Sequence, residues 1–422
     1  MQLPFIKAVT NQKNIFQLIL ASAIVGIMAA LLGIGLKHIT EHYEALLFRR
    51  ATGNRFWIVV FPVTGLALIY ILRHYLFKKK ENKGIKEVFE SNTSGKPLPS
   101  YKIPSHFING LITVAFGGST GIEVSTVVAT AAVGSLASQK ESFLKKYRRY
   151  LLCAGVAAGI TALFNAPLAG ILFTYEVIYK KFNRLFALST VTAAAVAFGF
   201  TIVLDEAPVF NAAITQWHLR ALPWFILLGI LGGLQSVYLT KSVLFFKKQF
   251  LKFSNPYYKI ITGGLVISCI LLLLPQLYGE GYHAIKHSIM EANTTKLSVY
   301  FTVTILALLI LKPIITSITL SAGGDGGVFA PGIFLGAFLG LFLAVVLNTF
   351  FNAGVIPLNF MIVGMAAVLS ASIHAPLTAL FLVCGLTNSY VLFIPLAVTS
   401  FIAMNTAKKI YPYTVYSYGA KK

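Results

Sequence analysis

Charge is scarce in this chain. Only 11% of its 422 residues are Asp, Glu, Lys or Arg, against about 25% in a soluble globular protein. Acid is scarcer still: 13 Asp and Glu stand against 35 Lys and Arg, and the sole aspartates are Asp205 and Asp325. Cysteine is nearly absent. Cys153, Cys269 and Cys384 lie in apolar segments without metal-ligand spacing, so they are expected to be core residues and say nothing of redox compartment. The opening stretch MQLPFIKAVTNQKN leads into an apolar run that is too long and lacks a small-residue cleavage site, which argues against a cleaved signal.

What fills the chain is apolar. Hydrophobic residues make up 57% of it. Several runs approach or exceed the ~20 residues that cross a bilayer: 15–36, 56–77, 224–239 and 297–311. The expected fold class is an all-α polytopic membrane protein, multi-pass, in the cell (inner) membrane. The formal charge of +22 would suggest nucleic acid in a soluble protein. Here the basic residues gather in short segments, KKKENKGIK at 78–86, KESFLKKYRR at 140–149 and KKFNR at 180–184. Cytoplasmic loops of a membrane protein read that way; a surplus of positive charge also draws anions. Lipid is the expected surrounding, and nucleic acid is not an expected partner.

The chain repeats itself. AGVAAGITALFNAPL at 154–168 matches VGMAAVLSASIHAPL at 363–377, sharing a glycine, four alanines and the Ala-Pro-Leu ending at constant spacing. The halves are expected at 15–204 and 222–410, within one domain spanning 1–422. Such repeats build many transport proteins, with the substrate site near the midplane. Just upstream of each repeated segment lies a glycine-rich approach to a helix: GGSTGIEVSTV at 117–127 and GGDGGVFAPG at 323–332. Allowing a three-residue gap, GIEVS at 121–125 pairs with GVFAP at 327–331. A helix beginning there presents unpaired N–H groups and the positive end of its dipole. Two such starts aimed at one point make an anion site. Irregular backbone at that depth must be buried or line a cavity.

These motifs resemble the CLC chloride channels and chloride/proton antiporters, over about residues 15–418. GGVFAPG carries the family's G-x-F-x-P signature; NAPLAGILFTYE at 165–176 and GMAAVLSASIHAPLTALFLV at 364–383 are almost as specific, and GIEVS keeps part of G-x-E-x-P. The resemblance implies a CLC-type inverted repeat of tilted and partly spanning helices. It also implies a homodimer with one anion pathway per subunit, without the cytoplasmic regulatory domains of some relatives. It makes Glu123 the gating and proton-transfer glutamate, competing with the anion at an outer site bounded by Gly121 and Ile122. Val328 and Phe329 become amide donors at a central site that the Tyr416 hydroxyl closes from within. Tyr416 is preferred to Tyr413 by a gap-free count from Ala407.

Three departures bear on mechanism. The first signature ends in Val124 and Ser125 where the family has Gly-Pro. NKGIK at 82–86 stands for the family's Gly-Ser-Gly-Ile-Pro, so the resemblance places Lys83, Gly84 and Ile85 at the central anion; the other reading makes Lys83 a lysine of a basic cytoplasmic loop. The inner proton-transfer acid falls on Val177, beside Glu176. The expected function is therefore chloride or similar halide permeation gated by Glu123, passive or weakly proton-coupled; the alternative is a proton-coupled chloride or fluoride antiporter. Halide, and possibly protons, are the expected substrates; no cofactor or metal is expected. His374, the counterpart of Asn165 in the repeat, suits helix capping or packing. Asp325 either caps the buried helix or faces a vestibule. AGGDGG at 322–327 is faintly like the G-x-G-D loop of intramembrane aspartyl proteases. Those need a second aspartate on a facing helix, and Asp205 lies in loop-like VLDEAP. No zincin or nucleophile-elbow motif occurs, so no enzyme is expected.

Overall fold

The computed structural model describes residues 12–79 and 82–418. Part of the basic segment at 78–86 therefore lies outside the described residues. The protein is an all-α polytopic membrane protein. Seven of its helical stretches are long and apolar enough to cross a membrane. The helices run in order: α1 (Gln12–Gly53), α2 (Arg55–Ile71), α3 (Ile85–Ser94), α4 (Lys102–Ala115), α5 (Glu123–Lys140), α6 (Arg148–Phe164), α7 (Pro167–Phe173) and α8 (Arg184–Val203). Then follow α9 (Leu222–Phe250), α10 (Pro256–Leu273), α11 (Tyr282–Glu291), α12 (Val299–Ser321), α13 (Phe329–Phe351), α14 (Pro357–Ile373), α15 (Pro376–Thr387) and α16 (Phe393–Ile410).

Burial sorts them into layers. α14 is buried along its whole length, and α5, α6 and α13 nearly so. α1, α2, α9, α10 and α12 surround them and turn large apolar side chains outward, among them Phe16, Leu20, Ile71, Leu273 and Val303. An exposed face of that kind is at home in lipid.

The inner pairs cross at their glycines. A Cβ at Gly364 or at Gly336 would overlap the other's backbone, so α13 and α14 touch main chain to main chain. α5 and α6 do the same, where a Cβ at Gly155 would overlap the Thr130 carbonyl. Gly155 and Gly364 are the aligned glycines of the sequence repeat. The other repeated features also take matching shapes. Asn165 ends α6 at φ 53° and His374 ends α14 at φ 56°, both left-handed. Ala166 and Ala375 follow at φ −132° and −135°, and Pro167 and Pro376 open the next helices, where a missing N–H costs nothing. His374 is thus a helix C-cap.

Two faces are distinguishable. On one, Arg148 bonds the Gly95 carbonyl, Asn92 the Ile178 carbonyl, and Lys86 the Tyr418 carbonyl. The basic segments belong to this face, which the positive-inside rule assigns to the cytoplasm. On the other, Lys37 pairs with Glu206 at 2.8 Å and Asn359 bonds the Gln216 carbonyl.

Candidate functional site

The two glycine-rich approaches meet. Gly121 N–H donates to the Gly327 carbonyl at 3.4 Å, and Gly327 N–H to the Gly121 carbonyl at 3.1 Å. These are the residues that the sequence alignment of the halves pairs. Thr120 Oγ1 adds a bond to the Gly327 carbonyl at 2.8 Å. α5 begins two residues past Gly121 and α13 two past Gly327, and neither N-cap residue, Ile122 or Val328, caps its helix with its own side chain. Their first-turn N–H groups are therefore left for something else. All of this backbone is buried, as irregular structure at membrane depth must be.

The Glu123 carboxylate occupies that junction. It is 1% exposed. Oε1 accepts from the Tyr282 hydroxyl at 3.0 Å, while Oε2 has no hydrogen-bond partner. The amides of Glu123 itself and of Ala330, in the first turn of α13, face the carboxylate. A Cβ on Gly121 would overlap Oε2, so glycine is needed there for the carboxylate to fold back onto the helix starts. An anionic group thus lies where two dipoles converge, held by donors that a small anion would also use.

Below it, Val328 N–H donates to Tyr416 Oη at 3.3 Å. Tyr416 is 6% exposed and Tyr413 is 41% exposed, in keeping with the choice of Tyr416. A Thr414–Ser417 turn and the Lys86–Tyr418 bond position it. Phe329 is wholly buried against Phe173, with ring centroids 5.4 Å apart. Ile122 departs from expectation: its N–H donates to Glu280 Oε1 at 3.0 Å and is not free for an anion.

A cavity of about 500 Å³ leads from Tyr416 and Val124 to the cytoplasmic face, lined by Lys83, Lys86, Lys247 and Lys248. Gly84, at φ 63°, caps α3 beside Val124, and Ile85 is buried. Lys83 is exposed and is one of four lysines in a funnel. Its place suits a solvated charge that attracts anions better than a ligand of a dehydrated one. Asp325 lines the same cavity. It accepts from Asn82 at 2.6 Å and approaches His106 Nδ1 at 3.2 Å and Arg73 at 3.7 Å; of its two expected places, the structure gives the vestibule. Lys102, 2.7 Å from Glu87, extends this buried polar group.

Val177 is buried in the core. Glu176 is committed elsewhere: it accepts from Thr378 N–H at 2.8 Å, Thr378 Oγ1 at 2.6 Å and Leu377 N–H at 3.2 Å, capping α15 of the other half. Both sit in a π-helical turn, Thr174–Tyr179. Sequence reasoning passed over Tyr282, Glu280, Glu44 and Lys312. The available signal was an ionisable residue in an apolar setting, as in YGEGY at 278–282 and LLILKPII at 308–315, which by default marks function.

The family profile described as Voltage gated chloride channel matches residues 64–408. The H(+)/Cl(-) exchange transporter ClcA of Vibrio cholerae serotype O1 (strain ATCC 39541 / Classical Ogawa 395 / O395) is 28% identical, covering 97% of this chain and 90% of that one. Its namesake from Vibrio vulnificus (strain YJ016) is 30% identical, covering 92% and 85%. Among solved structures, a slow cyanobacterial Cl-/H+ antiporter superposes with a TM-score of 0.82 at 21% identity, over 95% of this chain and 96% of that one. A CLC-type fluoride/proton antiporter superposes at 0.81 and 22%, over 96% and 98%. At such identities the superpositions speak for the fold alone.

Proposed function

The chain belongs to the voltage gated chloride channel family, and from that premise we propose that it exchanges chloride for protons across the membrane. The observation that carries this reading is the position of Glu123. Its carboxylate lies at the meeting point of two helix starts, buried, with Oε2 unpartnered among the described residues. Anion and carboxylate compete for the same donors. Protonation removes the negative charge, frees the donors and lets the anion in. Return of the carboxylate expels the anion. One group thereby links the two ions.

The expectation of a passive or weakly coupled pathway rested on Val177, and it is not what the relatives support; both transporters at 28–30% identity carry the name of H(+)/Cl(-) exchangers. The physical reason is that coupling requires protons to reach Glu123, not a titratable group at position 177. The cytoplasmic side offers other ionisable groups, with Asp325 on the cavity wall beside buried His106 and Glu87. The same relatives favour chloride over fluoride. The Phe329 amide and the Tyr416 hydroxyl, which takes the Val328 amide in this structure, form the proposed central site, the four lysines its approach, and each subunit of the proposed homodimer carries its own pathway.

The test is Glu123→Gln in liposomes, with chloride and proton fluxes recorded together. Chloride permeation persists and proton movement disappears. Proton transport unchanged in this variant contradicts the assignment.

A further inference from the structure

Glu123 does not sit alone in its buried volume. Glu280, just before α11, and Glu44, on α1, are each 4% exposed; Lys312, on α12, is 0% exposed. The groups are chained. Glu44 Oε1 accepts from Glu280 N–H at 3.2 Å, and Glu280 Oε1 accepts from Ile122 N–H at 3.0 Å, next to Glu123. Lys312 Nζ donates to the Gly279 and Glu280 carbonyls, at 3.2 Å each, and lies over the Phe334 ring at 4.6 Å. It is the buried cation in electrostatic reach of all three carboxylates.

The charges do not balance. Three carboxylates against one ammonium leave two negative charges in a water-poor site if all ionise. An unpaired buried charge costs several kcal/mol, and carboxylates sharing a site do not all ionise. The cluster therefore holds carboxyl protons. A backbone N–H needs only an oxygen acceptor, which glutamine supplies; the ionisable group at 280 is unexplained by the hydrogen bond it makes.

The cluster also has an outlet. Glu44 lines a cavity of about 560 Å³ with Phe48, Gln276, His283 and Glu291, on the face opposite the lysine funnel. Glu123 itself is buried. Tyr282 covers it there, backed by Phe210 with ring centroids 5.4 Å apart.

We propose that Glu280 and Glu44 form the outer limb of the proton path. This rests on the reading of Glu123 as the proton-exchanging group. A proton on the Glu123 carboxyl passes to the Glu280 carboxylate, from there to Glu44, and from Glu44 to water in the outer cavity; inward transfer is the reverse. Each hop breaks one O–H bond and makes another, and the electron pairs stay on the carboxylate oxygens. The Lys312 ammonium, in reach of all three, stabilises whichever carboxylate is charged. Tyr416 faces Glu123 from the central site; the other titratable groups facing the cluster are Glu41 from α1, Tyr278, and Tyr282, His283 and Lys286 from α11. Tyr278 and Tyr282 have hydroxyl partners, the Ala115 carbonyl and Glu123.

The experiment compares the unmodified protein with Glu280→Gln, Glu44→Gln and Glu280→Asp in liposomes, recording chloride and proton fluxes together. Glutamine keeps the acceptor oxygen for the backbone N–H and removes the titration. Both glutamine variants are expected to lower the proton flux at least tenfold and to raise the chloride-to-proton ratio; Glu280→Asp restores part of the coupling. Steeply altered dependence on outer pH, with dependence on inner pH kept, accompanies the loss in Glu44→Gln. A merely structural role does not move the ratio or the side-specific pH profile. Should Glu280→Gln fail to fold, Glu44→Gln at the cavity edge decides alone. Coupling, rate and outer-pH profile unchanged in the glutamine variants overturn the relay. Absence of proton coupling in the unmodified protein overturns instead the reading it rests on.

Discussion

In the proposed exchange, the Glu123 carboxylate stands in for the transported ion. The competition predicts a pH dependence with a definite sign. Acid protonates the side chain and clears the junction, so anion flux rises as pH falls. Glu123→Gln holds the junction clear at all pH values, and its flux across pH 4–8 is expected to vary by less than about twofold, a small fraction of a pKa unit's worth of free energy. A steep profile retained in that variant contradicts the competition. Lys83 acts more weakly. It is exposed and shares its cavity with three other lysines, so one charge contributes at most about 1 kcal/mol in high dielectric. Lys83→Ser should weaken chloride binding about two- to fivefold at low ionic strength, and the effect should fade in high salt. A large loss that persists in salt would put Lys83 in the anion site itself. Glu123 and Tyr416 could be singled out from the sequence because each sits in a short local motif. Glu280 and Lys312 could not, nor could the bond that takes the Ile122 amide, because these depend on partners at least 32 residues away.

Helix starts and crossings carry the geometry of the site. The α13–α14 crossing holds the second start in place, and it depends on main-chain contact at Gly336 and Gly364. Gly364→Ala forces the helices apart and should cost about 3 kcal/mol or more, read as a lowered melting temperature in detergent. Gly199→Ala, with open space around it, is the control and should be neutral. Glu176 acts at this scale too. Its carboxylate caps α15, and Glu176→Gln keeps one acceptor while losing the charge. A loss of about 1 kcal/mol in stability is expected, with the chloride-to-proton ratio unchanged; loss of coupling would make Glu176 a proton carrier. The repeated Ala-Pro-Leu corners and both glycine-rich starts were readable because glycine and proline mark backbone geometry directly. The π-helical turn at Thr174–Tyr179 was not, since no glycine or proline within it marks the departure from α-helical spacing. Nor did the apolar run at 15–36 show that α1 continues to Gly53. Lys37 and Glu44 interrupt the run, and only their partners, Glu206 and the Glu280 amide, explain their burial.

Over the whole molecule, polar groups form a line through an apolar body. It runs from the lysine funnel to Tyr416 and the Val328 amide, then to Glu123 at the junction of the halves, then through Tyr282 and Glu280 to the cavity beside Glu44. Composition foretold the membrane. The line itself was hidden, because it is assembled from seven separate stretches of chain. The account stands on coupling between the two ions at Glu123. The most direct measurement loads liposomes containing the purified protein with chloride, places them in low chloride at equal pH, and holds the membrane potential near zero while internal pH is followed. Chloride leaving by exchange must draw protons in, so the interior is predicted to acidify below the bath and to return when the chloride gradient is spent. Rapid chloride loss with internal pH unmoved would contradict the account.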